Sequence, residues 1–106
     1  MIRRSAMFKI TITRKAPQGK EKELLDLITG IRVMASGQYG YVSGETLLHT
    51  EVPGEFLVIS VWDREVDWKK WLASDARKEL QAKIDALVGS PTTYATYQYP
   101  HISHSV

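Results

Sequence analysis

The sequence predicts an α+β domain in which four antiparallel strands carry their helices on one face. Three observations predict it. "FKITITR" alternates side-chain type with period two, the spacing turns helical after "KAPQG", and the periodic segments run strand, helix, strand, strand, helix, strand. At 106 residues, 43% hydrophobic and 25% charged, the chain has the size and composition of one globular domain.

Phe8 to Arg14 is the first strand, because Ile and Thr suit a pleated, half-buried surface. Pro17 and Gly19 punctuate a turn. From Lys20, the residues Leu24, Leu27 or Ile28, Ile31, and Met34 or Ala35 fall on one stripe, with Lys and Glu opposite, which is an amphipathic helix. The glycines of "SGQYG" end it. "YVSGETLLH" is the second strand, "TEVPGE" a hairpin loop around Pro53 and Gly54, and "FLVISVW" the third strand. A second helical region runs from Asp63 to Val88 with a break near Ser74. Asp63 is expected to cap its first part and Ser74 its second, each side-chain oxygen accepting a free amide proton. Leu80, Ile84, Leu87 and Val88 continue the stripe until Gly89 and Pro91 stop it, and "TTYATYQY" closes the order as a fourth strand. Residues 1–6 and 101–106 read as loose termini around a domain spanning 7–100. This βαββαβ order is that of ferredoxin-like folds.

The third strand is apolar on both sides. Phe56, Val58 and Trp62 point one way; Leu57, Ile59 and Val61 point the other. A strand wetted on one face alternates apolar with polar, and two helices cover only one face. The second row therefore needs another cover, and a second copy of the chain, packed sheet to sheet, supplies it. A homodimer is expected.

Composition narrows the partners. There is no cysteine, which removes disulfides and thiolate metal sites and fits a reducing cytoplasm. No apolar run approaches the roughly 20 residues of a membrane span. The first 22 residues hold seven Lys or Arg against one Glu, but these are scattered among Thr and Ile and form no stripe for a nucleic acid. The expected partners are a small molecule and a second subunit.

All three tryptophans fall within "WDREVDWKKW": Trp62, Trp68 and Trp71. Trp62 ends the helix-facing row of the third strand, while Trp68 and Trp71, three apart, share a helix face. Tryptophans at such spacing serve as core or as the wall of a pocket. Trp71 stands just before the break at "LASDA", where a helix lifting from the sheet leaves a gap beneath it. A gap floored by a strand and walled by indole suits a small apolar or planar ligand.

"VISVW", the Trp-bearing helix after it and "WLASDARK" together resemble the antibiotic biosynthesis monooxygenase family; "GYVSGETL" and the Tyr-rich last strand fit as well, so the resemblance runs from Phe8 to Tyr99. It implies a dimeric α/β barrel of ferredoxin-like subunits. Members include cofactor-independent, quinone-forming monooxygenases acting on polycyclic phenols and haem-degrading monooxygenases. The haem-degrading branch has a Trp matching Trp71 and, ten residues on, a His whose place is taken here by Gln81, a poor iron ligand. Its first-strand Asn matches somewhere among Lys9 to Thr11, and none of these is Asn. Haem degradation is not expected. The polyketide-oxidising branch has an Asn at the place of Val58 and an aromatic hydroxyl at the place of Trp68, so its proton-handling groups are not carried over.

Other chemistry is sparse. His49 ends the second strand; His101 and His104 sit in the tail, where Pro100 speaks against a helical metal pair. No Ser-His-Asp arrangement, phosphate loop or cofactor motif is present, so no cofactor and no metal are expected. Arg77 is read either as a surface ion pair with Asp75 or Glu79 or as a contact for an anionic ligand. His49, Arg77 and Tyr39 are the available groups for proton or charge handling. The candidate pocket is thus Trp62, Trp68, Trp71, Val58, Arg77, Gln81, Tyr39 and His49. The expected activity is that of a small cofactor-independent monooxygenase acting on an aromatic or quinoid molecule. Two alternatives stand beside it: a non-catalytic module for a hydrophobic metabolite, and a dimer whose pocket is collapsed and structural.

Overall fold

The computed structural model describes residues 7–100, so both expected loose termini, with His101 and His104, lie outside the described residues. Seven elements follow one another: β1 (Phe8–Lys15), α1 (Glu21–Ala35), β2 (Tyr41–Leu48), β3 (Glu55–Trp62), α2 (Glu65–Leu72), α3 (Asp75–Val88) and β4 (Tyr94–Gln98). The strands form one antiparallel sheet in the order β2-β3-β1-β4, which is the ferredoxin-like topology. In the central pair Phe8 lies opposite Trp62, Ile10 opposite Ser60, Ile12 opposite Val58 and Arg14 opposite Phe56. These eight residues form the row that faces the helices, since successive side chains alternate across a strand.

Two apolar clusters fill the space between sheet and helices. One gathers Phe8, Ile10, Ala35, Trp62, Trp68 and Trp71; the other gathers Ala16, Leu24, Ile28, Phe56 and Ile84. On the outer face of the sheet Leu57, Ile59 and Val61 are only half-buried, and Leu47 and Tyr97 are exposed. Among the described residues no helix is long and apolar enough to cross a membrane.

The second helical region breaks where the sequence places it. Ser74 Oγ accepts from the Arg77 amide at 3.3 Å, capping α3, and donates to the Trp71 carbonyl at 2.8 Å, holding the end of α2 against the start of α3. Asp63 does not cap α2. The residue before that helix is Arg64, still extended and without a side-chain cap bond, while the Asp63 amide donates to the Gly40 carbonyl at 2.7 Å. With Asp63 so tethered and Arg64 still extended, the helix starts one residue later than the sequence suggests. β4 is also shorter than expected, beginning at Tyr94, because the Thr92 hydroxyl turns to Asp85 and Gln81 of α3.

Gly40 makes the tether. Its φ is +86°, and a Cβ there would meet the Asp67 Cβ at 2.6 Å. Asp67 cannot yield easily, since its buried carboxylate is held by Arg64 Nε at 3.2 Å and Nη2 at 3.1 Å. Gly40→Ala is expected to destabilise the fold by roughly 1–3 kcal/mol in urea unfolding. Gly30, mid-helix with open space around it, should behave oppositely, Gly30→Ala stabilising by up to about 1 kcal/mol.

Candidate functional site

A hollow opens where the two clusters meet. Its floor is the inward row of the sheet: Ile12 of β1, Val58 and Ser60 of β3, and Gly44 of β2. Ile28, Ile31, Arg32 and Ala35 of α1 cover it, and Trp68 and Trp71 of α2 wall it. The hollow encloses about 50 Å³.

The indoles are held firmly. Trp68 lies against Phe8 at 5.5 Å between ring centres and meets Tyr94 edge-on at 5.9 Å. Trp71, 7% exposed, is fixed through its carbonyl by Ser74. Beneath them Trp62 is fully buried; its Nε1 donates to Ser60 Oγ at 2.8 Å, and Tyr41 stands edge-on to it at 5.4 Å.

One end of the hollow is cationic. Arg14, 4% exposed, donates from Nη2 to Gln81 Oε1 at 2.9 Å, and Arg77, 8% exposed, donates to the same oxygen at 3.3 Å. Arg77 also donates to the Leu72 carbonyl at 3.4 Å and to the Tyr94 hydroxyl. Gln81 in turn donates from Nε2 to Asp85 Oδ1 at 2.9 Å and to Thr92 Oγ1, which itself donates to Asp85 at 2.8 Å. The two guanidinium groups thus converge on one neutral acceptor. Burial and the neighbouring Arg77 charge pull the Arg14 pKa down to about 10, partly offset by Asp85, and burial likewise lowers that of Arg77, again against Asp85. Both remain charged at neutral pH. The third arginine, Arg32, is on the other flank, its Cγ and Cδ lying over Gly44 of β2 beside the Tyr41 hydroxyl. Burial raises the Tyr41 pKa, with Arg32 acting in the opposite direction.

Of the residues the sequence singles out, Trp68, Trp71, Val58, Arg77 and Gln81 line this hollow together. Trp62 does not; it is core beneath the floor. Tyr39 is outside, 82% exposed in the loop between α1 and β2. His49 is outside too. It sits at the β2–β3 turn, where its Nδ1 accepts from the amides of Glu51 and Val52 at 2.9 and 3.0 Å, and it borders a separate groove with Thr13 and Leu57. Register explains that distance, since Tyr41 pairs with Trp62 at one end of the hairpin and Leu48 with Phe56 at the other. The surface ion pair considered for Arg77 does not form, because the side chain turns inward to Tyr94 and Gln81. Sequence reasoning passed over Arg14, Arg32, Tyr41 and Tyr94. Two of these carry a visible signal: Arg14 continues the inward alternation of Phe8, Ile10 and Ile12, and Arg32 falls four residues after Ile28 on the apolar stripe. Among the described residues no group of three or more His, Asp or Glu is placed to hold a metal ion.

A family model described as antibiotic biosynthesis monooxygenase matches residues 7–83. No curated protein matches the chain. Several crystal structures share the fold. A conserved protein from Methanosarcina mazei Go1 aligns with a TM-score of 0.82 at 14% identity, over 91% of this chain and 95% of its own. SnoaB of Streptomyces nogalater, a cofactor-independent oxygenase, aligns at 0.80 and 14% identity over 93% of this chain and 98% of its own. A protein described as an antibiotic biosynthesis monooxygenase aligns at 0.76 and 14% identity, over 88% and 98%. At these identities the likeness speaks for the fold.

Removing the shared acceptor should expose the strain at the cationic end. Gln81→Ala leaves Arg14 and Arg77 facing one another with a lost charge-assisted bond each, and an expected cost of about 2–4 kcal/mol in thermal or urea unfolding.

Proposed function

Because the chain belongs to the antibiotic biosynthesis monooxygenase family, we propose that it is a small cofactor-independent monooxygenase whose substrate, an aromatic or quinoid molecule, occupies the hollow beside Trp68 and Trp71. The observation that carries this reading is a mostly apolar, indole-walled recess ending in buried arginines. A planar ring finds packing surface there, and an oxygen on that ring finds cationic donors.

The chemistry rests on the substrate. A phenol or enol beside a guanidinium ionises more readily than in water, because the cation favours the charged form. The electron-rich anion passes an electron to dioxygen, the two radicals join as a carbon-bound peroxide, and loss of water leaves a carbonyl. In balance, a ring CH2 and O2 give C=O and H2O, with one oxygen atom entering each product. The arginines hold the anion, and the indoles fix the ring and keep water away. No carboxylate or imidazole is among the described residues that line the hollow, so the proton leaves to solvent. That same lack of a base favours the second reading, a binding module that holds a hydrophobic metabolite without changing it. Drug-sized ligands fill roughly 300–1,000 Å³, so a ring system enters only as the walls of the hollow yield.

The reading includes a homodimer, supported by the half-buried aliphatic row of Leu57, Ile59 and Val61 on the uncovered face. It also includes a cytoplasmic setting, supported by the cysteine-free composition.

Oxygen uptake with a panel of naphthols and anthrones tests the activity. Consumption without added cofactor, matched by quinone formation and abolished in Trp71→Ala, is expected. Quenching of tryptophan fluorescence without uptake would favour the binding module. Light scattering should give twice the chain mass for the native protein and the single-chain mass for Ile59→Glu.

A further inference from the structure

We infer that the hollow selects an aromatic carboxylate, with the ring against Trp68 and Trp71 and the carboxylate on the free edge of Arg32. The inference rests on the hollow being the substrate site and specifies the class of molecule that fits it.

Three arginines line one small, mostly apolar recess, and among the described residues none of them forms an ion pair. Arg14 and Arg77 share a neutral amide oxygen, and the single carboxylate Asp85, held by Gln81 and Thr92, acts on both from behind it. One carboxylate does not balance three arginines around an apolar space, and an arriving anion completes the balance.

Unused donors show where the anion goes. Arg14 is more than nine-tenths buried, and its Nε has no partner. In Arg32 both Nε and Nη2 are buried and without a partner. Those two nitrogens form one edge of the guanidinium plane, with their N–H bonds parallel. A carboxylate answers that edge with two parallel bonds, whereas a phenol, a ketone or a water answers it with one. Gly44 leaves room for this arrangement, since a Cβ there would lie 2.5 Å from the Tyr41 hydroxyl and 3.6 Å from the Arg32 side chain.

Arg32 lies over β2 at Gly44, which pairs through Ser60 with Ile10, whereas Arg14 stands four residues further along β1, opposite Phe56. An acid held by Arg32 therefore extends its rings along the floor toward Arg14.

The test is equilibrium binding, read by calorimetry or tryptophan quenching, of 2-naphthoate against its neutral counterpart 2-naphthamide to the full chain at neutral pH. The acid is expected to bind at least about tenfold more tightly. Arg32→Gln should erase that preference, weakening the acid far more than the naphthamide. If Arg32→Gln does not fold, Arg32→Lys, which keeps the charge but not the two-donor edge, is expected to lose most of it. Equal affinity for acid and amide, binding of neither, or a preference retained by the folded variant overturns the inference. Oxygen uptake from neutral naphthols without acid preference would leave the oxygenase reading standing and sink this one. Acid preference without oxygen uptake from 1-hydroxy-2-naphthoate would do the reverse.

Discussion

An arginine at the last inward position of the central strand β1 constrains everything around it. Arg14 is almost wholly buried, so its charge must be answered inside the protein; its direct partner is a single oxygen of Gln81, with the Asp85 carboxylate behind it. Gln81 is fixed for that purpose by Asp85 and Thr92, which draws the start of β4 toward α3. Arg77 joins the same oxygen and reaches Tyr94, so α3, β4 and β1 are tied at one point by polar contacts. Polar ties of this kind are directional, and apolar side chains cannot close in around them without leaving donors orphaned. The hollow is where that closure stops.

The break between α2 and α3 does the complementary work from above. Ser74 caps one helix and ties off the other, so Trp71 is pinned at the joint while Trp68 packs between Phe8 and Tyr94. Gly40 and Asp67 fix the other end of α2 against the loop after α1. A short helix anchored at both ends presents its indoles as a wall.

Much of the architecture is legible in the sequence because it depends on periodicity. The switch from alternation in Phe8–Arg14 to the stripe of Leu24, Ile28 and Ala35, and the doubly apolar third strand, carry the topology and the position of the hollow's floor. The helix break follows from Ser74 alone. The polar end is less legible. Trp62 looks like Trp68 and Trp71 along the chain, yet strand register sinks it beneath the floor. Tyr39 and His49 are chemically apt, but a loop and a turn carry them away. Arg14 and Arg32 were hidden by their type, since a charged residue in an inward register reads as solvated unless its neighbours are known in space. What Gln81 does depends on Arg14, 67 residues away, which no local pattern contains.

The account turns on the hollow being a receptor for a guest and not a fault in packing. A crystal structure of the protein purified without denaturation and soaked with a fused-ring acid tests this directly. It should show the ring lying flat against Trp71, two carboxylate oxygens on Arg32 Nε and Nη2, and Arg14 still bound to Gln81. An Arg32 side chain swung out to solvent over a collapsed, empty space would contradict it.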